Sequence, residues 1–222
     1  MSIRHHASDA LLMAYAAGQL PEAFSLVMAV HLSFCDDCRA RLQAFEAVGG
    51  AMLETCGQDV TLQDMAPDAL QACFARIAGA APEPARAYQP RPTAGRGVFP
   101  QPLRDYVGGD LEAVKWRPLG MGVRQAILPT GRGATARLLY IPAGQAVPDH
   151  GHRGTELTLV LQGAFRDATD RFGPGDLEIA DEELEHTPVA EAGADCICLA
   201  ATDAPLRFNA LVPRLLQPIF RI

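Results

Sequence analysis

The feature that most limits how this chain can fold is a proline-rich stretch near its middle. From Ala80 to Arg104 the sequence reads AAPEPARAYQPRPTAGRGVFPQPLR. A segment so rich in proline, glycine and arginine has little apolar surface to bury and favours extended backbone. It therefore predicts a linker over residues 81–104. The 222 residues then divide into two small domains, 1–80 and 105–222.

The segment before the linker has the residue spacing of helices. Apolar residues recur every three to four positions, and Ser8, Pro21 and Gly49-Gly50 suit helix starts and a helix end. Such a short segment can bury only a small core, so a bound metal or a partner would help to hold it. The predicted helices begin near Ser8 and near Pro21, and span Asp37–Val48 and Asp68–Ile77.

After the linker the pattern changes to short strands. Segments rich in Leu, Ile, Val and Thr are separated by turns such as Gly173-Pro-Gly-Asp176. Because no helical spacing intervenes, we predict an all-β barrel or sandwich. The chain is thus assigned to the α+β class, with a small helical domain followed by a barrel. The predicted strands are Ala136–Ile141, Thr155–Leu161, Leu177–Ile179 and Cys196–Ala200.

Charge and hydropathy narrow the classes of function. The net charge is −7, and residues 1–80 and 105–222 are both acidic, at −5 each. Nucleic-acid binding normally requires a basic face, so a basic protein partner is expected instead of DNA or RNA. No apolar stretch approaches the roughly 20 residues of a bilayer-spanning helix, and no secretion signal is visible. We therefore expect a cytoplasmic protein that does not bind membranes.

The sequence His31-x3-Cys35-x2-Cys38 is the clearest chemical motif before the linker. On a helix end this spacing brings one imidazole and two thiolates to one side, and zinc prefers four ligands of this kind. A thioredoxin-like redox pair would instead need a βαβ setting, which the predicted helices do not provide. The fourth ligand must come from elsewhere, and His5 and His6 are the nearest candidates.

A second motif of histidines and a carboxylate lies in the predicted barrel. His150 and His152 are two residues apart, so both rings share one face of a strand, and Glu156 has the same parity. With Gly144 and Gly163, these residues fit the first cupin motif, G-x5-H-x-H-x3-E-x6-G, at every defined position. The motif predicts a metal site inside a cupin barrel.

A looser match supplies a third imidazole to the same site. The turn Gly173–Asp176 followed by His186 resembles the second cupin motif, although Thr187-Pro-Val-Ala190 lacks the asparagine usual there. Three imidazoles and a carboxylate suit Zn, Fe, Mn or Ni, and we expect a second divalent metal, with zinc preferred. Cys196 and Cys198 share one strand face and are expected to be core thiols unless that face meets the metal. Cys56 and Cys73 have no ligand partners nearby and are also expected in the core. The apolar stripe of Leu70, Phe74 and Ile77 suits core packing, but the small core of four short helices leaves a partner open for it.

The helical segment resembles a known family. Residues 1–80 are similar to zinc-binding anti-sigma factors, and Ile3-Arg-His-His6 followed by Ser8-Asp-Ala-Leu-Leu12 resembles their ChrR branch. The resemblance implies a helical domain that inserts between the two domains of an extracytoplasmic-function sigma factor and blocks its access to RNA polymerase. It also implies a response to singlet oxygen and related oxidants, with the barrel needed for that response. The implied zinc ligands are His6, His31, Cys35 and Cys38.

Other functions stay open at this point. The four barrel ligands His150, His152, Glu156 and His186 would also suit a metal-dependent dioxygenase or isomerase with a helical appendage. A zinc-dependent redox chaperone is a third alternative. The resemblance favours a regulator without catalytic residues. Because cupins commonly pair, a homo-oligomer is also open.

Overall fold

The structure is a computed structural model that describes most of the chain outside the predicted linker. Two predicted features, the linker residues 81–96 and the ligand His152, lie outside the described residues. Contacts divide the chain into two compact units, one of Met1–Gly49 with Gly97–Ile222 and one of Gly50–Arg96. The described residues are 2–56, 65–80, 97–151, 153–205 and 207–208.

The described residues contain five α-helices. Ser8 caps the first, since its hydroxyl accepts a hydrogen bond from the Leu11 backbone N–H. No helix in the described ranges combines the length and the apolar character needed to cross a membrane. The helices are α1 Asp9–Ala16, α2 Glu22–Phe34, α3 Asp36–Cys56, α4 Ala69–Gly79 and α5 Gln101–Val107.

The predicted end of α3 at Val48 was wrong. The helix runs through Gly49 and Gly50 to Cys56, and neither glycine adopts the left-handed conformation that ends a helix. A glycine inside a helix costs only about 1 kcal/mol relative to alanine. The good helix formers that follow, such as Ala51, Met52 and Leu53, are enough to continue the helix.

The barrel is built from short antiparallel strands. Among the residues that the structure describes, the largest sheet has six strands in the order β1-β2-β3-β11-β5-β8, and there are two three-stranded sheets, β10-β6-β7 and β12-β4-β9. This confirms the predicted fold class of helices followed by an all-β domain. The strands are β1 Arg117–Gly120, β2 Val123–Ile127, β3 Thr135–Ile141, β4 His150–Gly151, β5 Glu156–Gln162, β6 Phe165–Arg166, β7 Arg171–Phe172, β8 Leu177–Ala180, β9 Glu185–His186, β10 Val189–Ala190, β11 Cys196–Thr202 and β12 Arg207–Phe208.

Helix α2 packs on the large sheet. Val27 and Met28 are fully buried in the same core as Leu159 of β5 and Leu199 of β11. Burying an aliphatic side chain of this size stabilises a fold by about 1.5–3 kcal/mol. The compact units therefore do not follow the predicted boundaries at 80 and 105, because residues 1–49 share their core with the barrel.

Candidate metal centres

Four predicted ligands lie together beside α2. His6, His31, Cys35 and Cys38 each place one ligand atom within 4.8 Å of the others. His6 Nδ1 lies 3.2 Å from Cys35 Sγ and 3.6 Å from Cys38 Sγ. Around a tetrahedral zinc with bonds of about 2.0–2.3 Å, ligand atoms are separated by roughly 3.3–3.8 Å. The spacing of these atoms therefore fits a zinc ion.

The junction of α2 and α3 brings three of these ligands to one side. Cys35 is the single non-helical residue between the two helices, and its N–H donates to the His31 carbonyl at 2.9 Å. Cys38 lies in the first turn of α3, where its own N–H donates to Cys35 Sγ at 3.4 Å. Free backbone N–H groups at a helix start favour negative charge, so this junction suits thiolates.

His31 is held in the form that a metal binds. Its ring is fully buried, and Nδ1 donates to the Gly175 carbonyl at 3.0 Å, because a carbonyl can only accept. Burial lowers the pKa of His31 to about 4, so the imidazole is neutral at pH 7. Its buried Nε2 has no hydrogen-bond partner among the residues that the structure describes. A zinc ion would satisfy this nitrogen, whose burial otherwise costs about 1–3 kcal/mol.

Cys38 also requires a positive charge nearby to act as a thiolate. Burial raises the pKa of the Cys38 thiol to about 11, which makes it a poor free nucleophile. A bound divalent ion reverses this effect, because its charge keeps coordinated thiols deprotonated. The cluster therefore fits a metal site better than a thiol redox pair.

The two adjacent histidines face different groups. His6 belongs to the cluster, whereas His5 Nε2 lies 3.1 Å from Asp170 Oδ2. The His5 ring packs against Phe172 with 4.3 Å between ring centroids. The geometry thus brings His6, and not His5, to Cys35 and Cys38.

Two of the predicted barrel ligands also face each other. Strands β4 and β9 pair so that His150 lies opposite His186, with ring centroids 4.8 Å apart. Glu156, at the start of β5, is buried. Burial lowers the pKa of His150, and the Glu156 carboxylate opposes that shift from nearby. The remaining predicted ligand, His152, lies outside the described residues.

Two carboxylates that the sequence analysis missed hold His186. Asp167 Oδ2 lies 3.0 Å and Glu178 Oε1 3.3 Å from its Nδ1. Burial would lower the pKa of His186, but its interactions with Glu178 and Asp167 raise it overall. Glu178 could have been noticed from the sequence, because it is a charged residue within the otherwise apolar strand β8. Asp167 could not, because it lies in a turn that no local pattern connects to His186. Partners at Nδ1 orient Nε2 for a metal.

Cys196 and Cys198 lie on the barrel face that carries these groups. In the register of β5 and β11, Cys198 is opposite Val160 and Thr202 is opposite Glu156, so Cys198 and Glu156 share one face. The two sulfurs are buried and 3.6 Å apart. The Cys196 contact and burial raise the pKa of the Cys198 thiol. Both residues are therefore buried core groups on the face that carries Glu156, and the Cys198 thiol stays protonated.

The second compact unit carries an exposed apolar surface on α4. Leu70, Phe74 and Ile77 of α4 are 62%, 60% and 65% exposed, and their spacing places them on one helix face, here named the α4 apolar face. These three side chains do not pack in a core. Cys56 and Cys73 are exposed as well, so the predicted core position of these two cysteines was wrong. Within the described residues 65–80, no side chain is buried. Contiguous exposed apolar side chains of this kind mark docking surfaces.

Comparison with known proteins connects these features. The family described as the ChrR cupin-like domain matches residues 105–205. Over 222 residues the chain is 65% identical to the anti-sigma-E factor ChrR of Cereibacter sphaeroides, covering 100% of both chains. It is also similar to a chain in the crystal structure of Rhodobacter sphaeroides SigE in complex with the anti-sigma ChrR, at a TM-score of 0.76 and 61% identity, covering 91% of this chain and 100% of that chain. This chain therefore belongs to the ChrR family of anti-sigma factors.

Proposed function

We propose that this chain binds and inhibits an extracytoplasmic-function sigma factor in the cytoplasm and releases it under oxidative stress. The observation that carries the proposal is the α4 apolar face, found in a chain that is 65% identical to an anti-sigma factor over its full length. The relative is named for sigma-E, and the similar crystal structure contains SigE. A second supporting feature is the negative charge of residues 1–80, which favours a partner with a basic surface.

Zinc is the proposed structural element of the inhibitory part. His6, His31, Cys35 and Cys38 would hold it, and the ion would link the N-terminal segment to the ends of α2 and α3. Such a link would stabilise α3 in particular, because Cys38 and Leu42 are the only buried residues of that helix. The ion would thereby fix the start of α3 against the end of α2.

The barrel is the proposed sensor. His150, Glu156 and His186, together with His152, would hold a second divalent metal, for which we propose zinc. Asp167 and Glu178 would orient His186 through its Nδ1. The proposed signal is singlet oxygen or a related oxidant, and its effect would be to weaken the hold of the helical part on the sigma factor.

This division of labour can be tested by separating capture from release. Replacing His150 and Glu156 with alanine should preserve co-purification of the sigma factor but blunt its release after exposure to singlet oxygen. Release would be followed with a reporter of sigma-dependent transcription. Glu185→Ala, at an exposed carboxylate beside His186, is the control and should respond normally.

Two results would contradict the proposal. Normal release by the His150 and Glu156 variant would remove the barrel metal from the response. Oxygen consumption by an iron-loaded chain, with no captured sigma factor, would support the dioxygenase alternative instead.

A further inference from the structure

The group of His6, His31, Cys35 and Cys38, here named the helical cluster, meets the barrel at one turn within the first compact unit. This turn, Gly173–Asp176, connects β7 to β8. The carbonyl of Gly175 accepts the hydrogen bond from Nδ1 of His31 at 3.0 Å. A ligand of the helical cluster therefore takes its tautomer and ring orientation from a backbone group of the barrel.

The same turn also holds the segment that carries His6. The buried carboxylate of Asp176 accepts hydrogen bonds from the backbone N–H groups of Arg4, at 2.6 Å, and His5, at 2.9 Å. The Leu177 N–H donates to the His5 carbonyl at 3.1 Å. Three hydrogen bonds thus fix the backbone just before His6. Asp176 is itself held, because its other oxygen accepts from the Gly173 N–H at 2.8 Å.

We propose that the Gly173–Asp176 turn positions His6 and His31 for zinc, so that the barrel determines how firmly the helical site holds its metal. The inference rests on the proposed zinc site and adds a regulatory route to it. The turn leads directly into β8, and Glu178 of β8 lies 3.3 Å from His186. A movement of the groups around His186 can therefore be transmitted to His6 and His31 through the short segment that joins Glu178 to the turn.

Gly175→Ala is the variant that tests this role. Gly175 has φ +88°, and an added Cβ would lie 2.7 Å from Cδ1 and 2.8 Å from Cγ1 of Ile3. Alanine would therefore displace the Ile3 side chain, the N-terminal segment that carries it or the Gly175 carbonyl. Gly193→Ala is the matched control, because Gly193 has φ +108° but no described atom within 4 Å of the added Cβ.

The measurement is metal affinity of the full-length chain, titrated with cobalt in competition with a chelator. Cobalt bound by thiolates has sulfur-to-metal charge-transfer absorption, and the predicted barrel ligands include no cysteine, so this signal isolates the helical site. Gly175→Ala should weaken that site about 10–100-fold, as loss of outer-shell contacts does elsewhere. Gly193→Ala should retain the affinity of the unmodified chain.

A second variant separates positioning from misfolding. Adding Ile3→Ala to Gly175→Ala removes both atoms that the new Cβ would meet, and the next neighbour, Phe34 Cβ, lies at an ordinary 3.6 Å. The double variant should recover most of the lost affinity. Failure to recover, or equal losses in Gly175→Ala and Gly193→Ala, would overturn the proposal.

The remaining outcomes separate this inference from the proposed function. Unchanged affinity in Gly175→Ala would end the positioning role and leave sigma capture, which is measured independently, unaffected. Absence of the thiolate signal in the unmodified chain would remove the zinc site, and with it both proposals.

Discussion

His5 and His6 are neighbours with the same chemistry, but the protein surrounds their imidazoles differently. His6 Nδ1 faces the sulfurs of Cys35 and Cys38, at 3.2 and 3.6 Å. His5 is kept away from them by Asp170 and by packing on Phe172. Of the two, only His6 can therefore offer a nitrogen to the cluster without a change of backbone.

His6→Ala should weaken metal binding at the helical site by more than about 100-fold, because loss of a ligand exceeds the 10–100-fold effect of losing its outer-shell partners. His5→Ala, the matched change one residue earlier, should retain the metal, since its backbone contacts to Asp176 do not involve the ring. Chelator competition followed by zinc analysis would check both. Loss of metal in His5→Ala with retention in His6→Ala would reverse the assignment.

Spacing alone could predict three of the four ligands in the helical cluster. His31 lies in the last turn of α2 and Cys38 in the first turn of α3, with Cys35 between the two helices, so their short separation in sequence keeps the three close together. The choice of His6 depends instead on contacts with Asp176, which is more than 160 residues away. No local sequence pattern predicts a contact between residues so far apart in the chain. The residues themselves therefore left His5 and His6 as candidates, and the family resemblance decided between them.

Helix α4 has an apolar face, and none of its described residues is buried. Phe74 lies at the centre of that face, between Leu70 and Ile77. Ala72 lies on the opposite side of the helix, about 160° away at 100° per residue. The helix therefore offers a test in which the same charge is placed on either side.

Phe74→Glu should weaken binding to the sigma factor by about 2 kcal/mol or more, equivalent to roughly 30-fold, as truncation of a buried aromatic anchor does in other interfaces. Ala72→Glu should bind as the unmodified chain does. Titration calorimetry with the purified sigma factor would measure both affinities. Equal affinities for the two variants would exclude the α4 apolar face from the interface.

Elements with a clear residue pattern could be predicted from the sequence, whereas strands of two residues could not. The periodic spacing in α2 and α4 and the apolar runs of β3, β5 and β11 were each sufficient. Strands of two residues, such as β4 and β9, are too short to show alternation. These two strands nevertheless bring His150 to His186. The prediction that these residues lie together therefore depended on the cupin motif and not on strand patterns.

At the scale of the whole molecule, residues 1–49 and the barrel share one core. The apolar positions of α2 predicted a buried helix face, but an amphipathic pattern does not say which element covers it. From the sequence, that face was predicted to pack within a separate helical domain. In the structure the sheet covers it, and this packing brings the Gly173–Asp176 turn to the helical cluster.

We propose that a metal held by His6, His31, Cys35 and Cys38 shapes the part of the chain that captures a sigma factor. The most direct test is the affinity of the chain for its co-purified sigma factor before chelation, after chelation and after zinc is restored. We predict a loss of at least about tenfold on chelation and recovery with zinc, and a lasting loss when Cys35 and Cys38 are replaced by serine. Unchanged affinity in the stripped chain and in the serine variant would show that sigma capture does not depend on this metal.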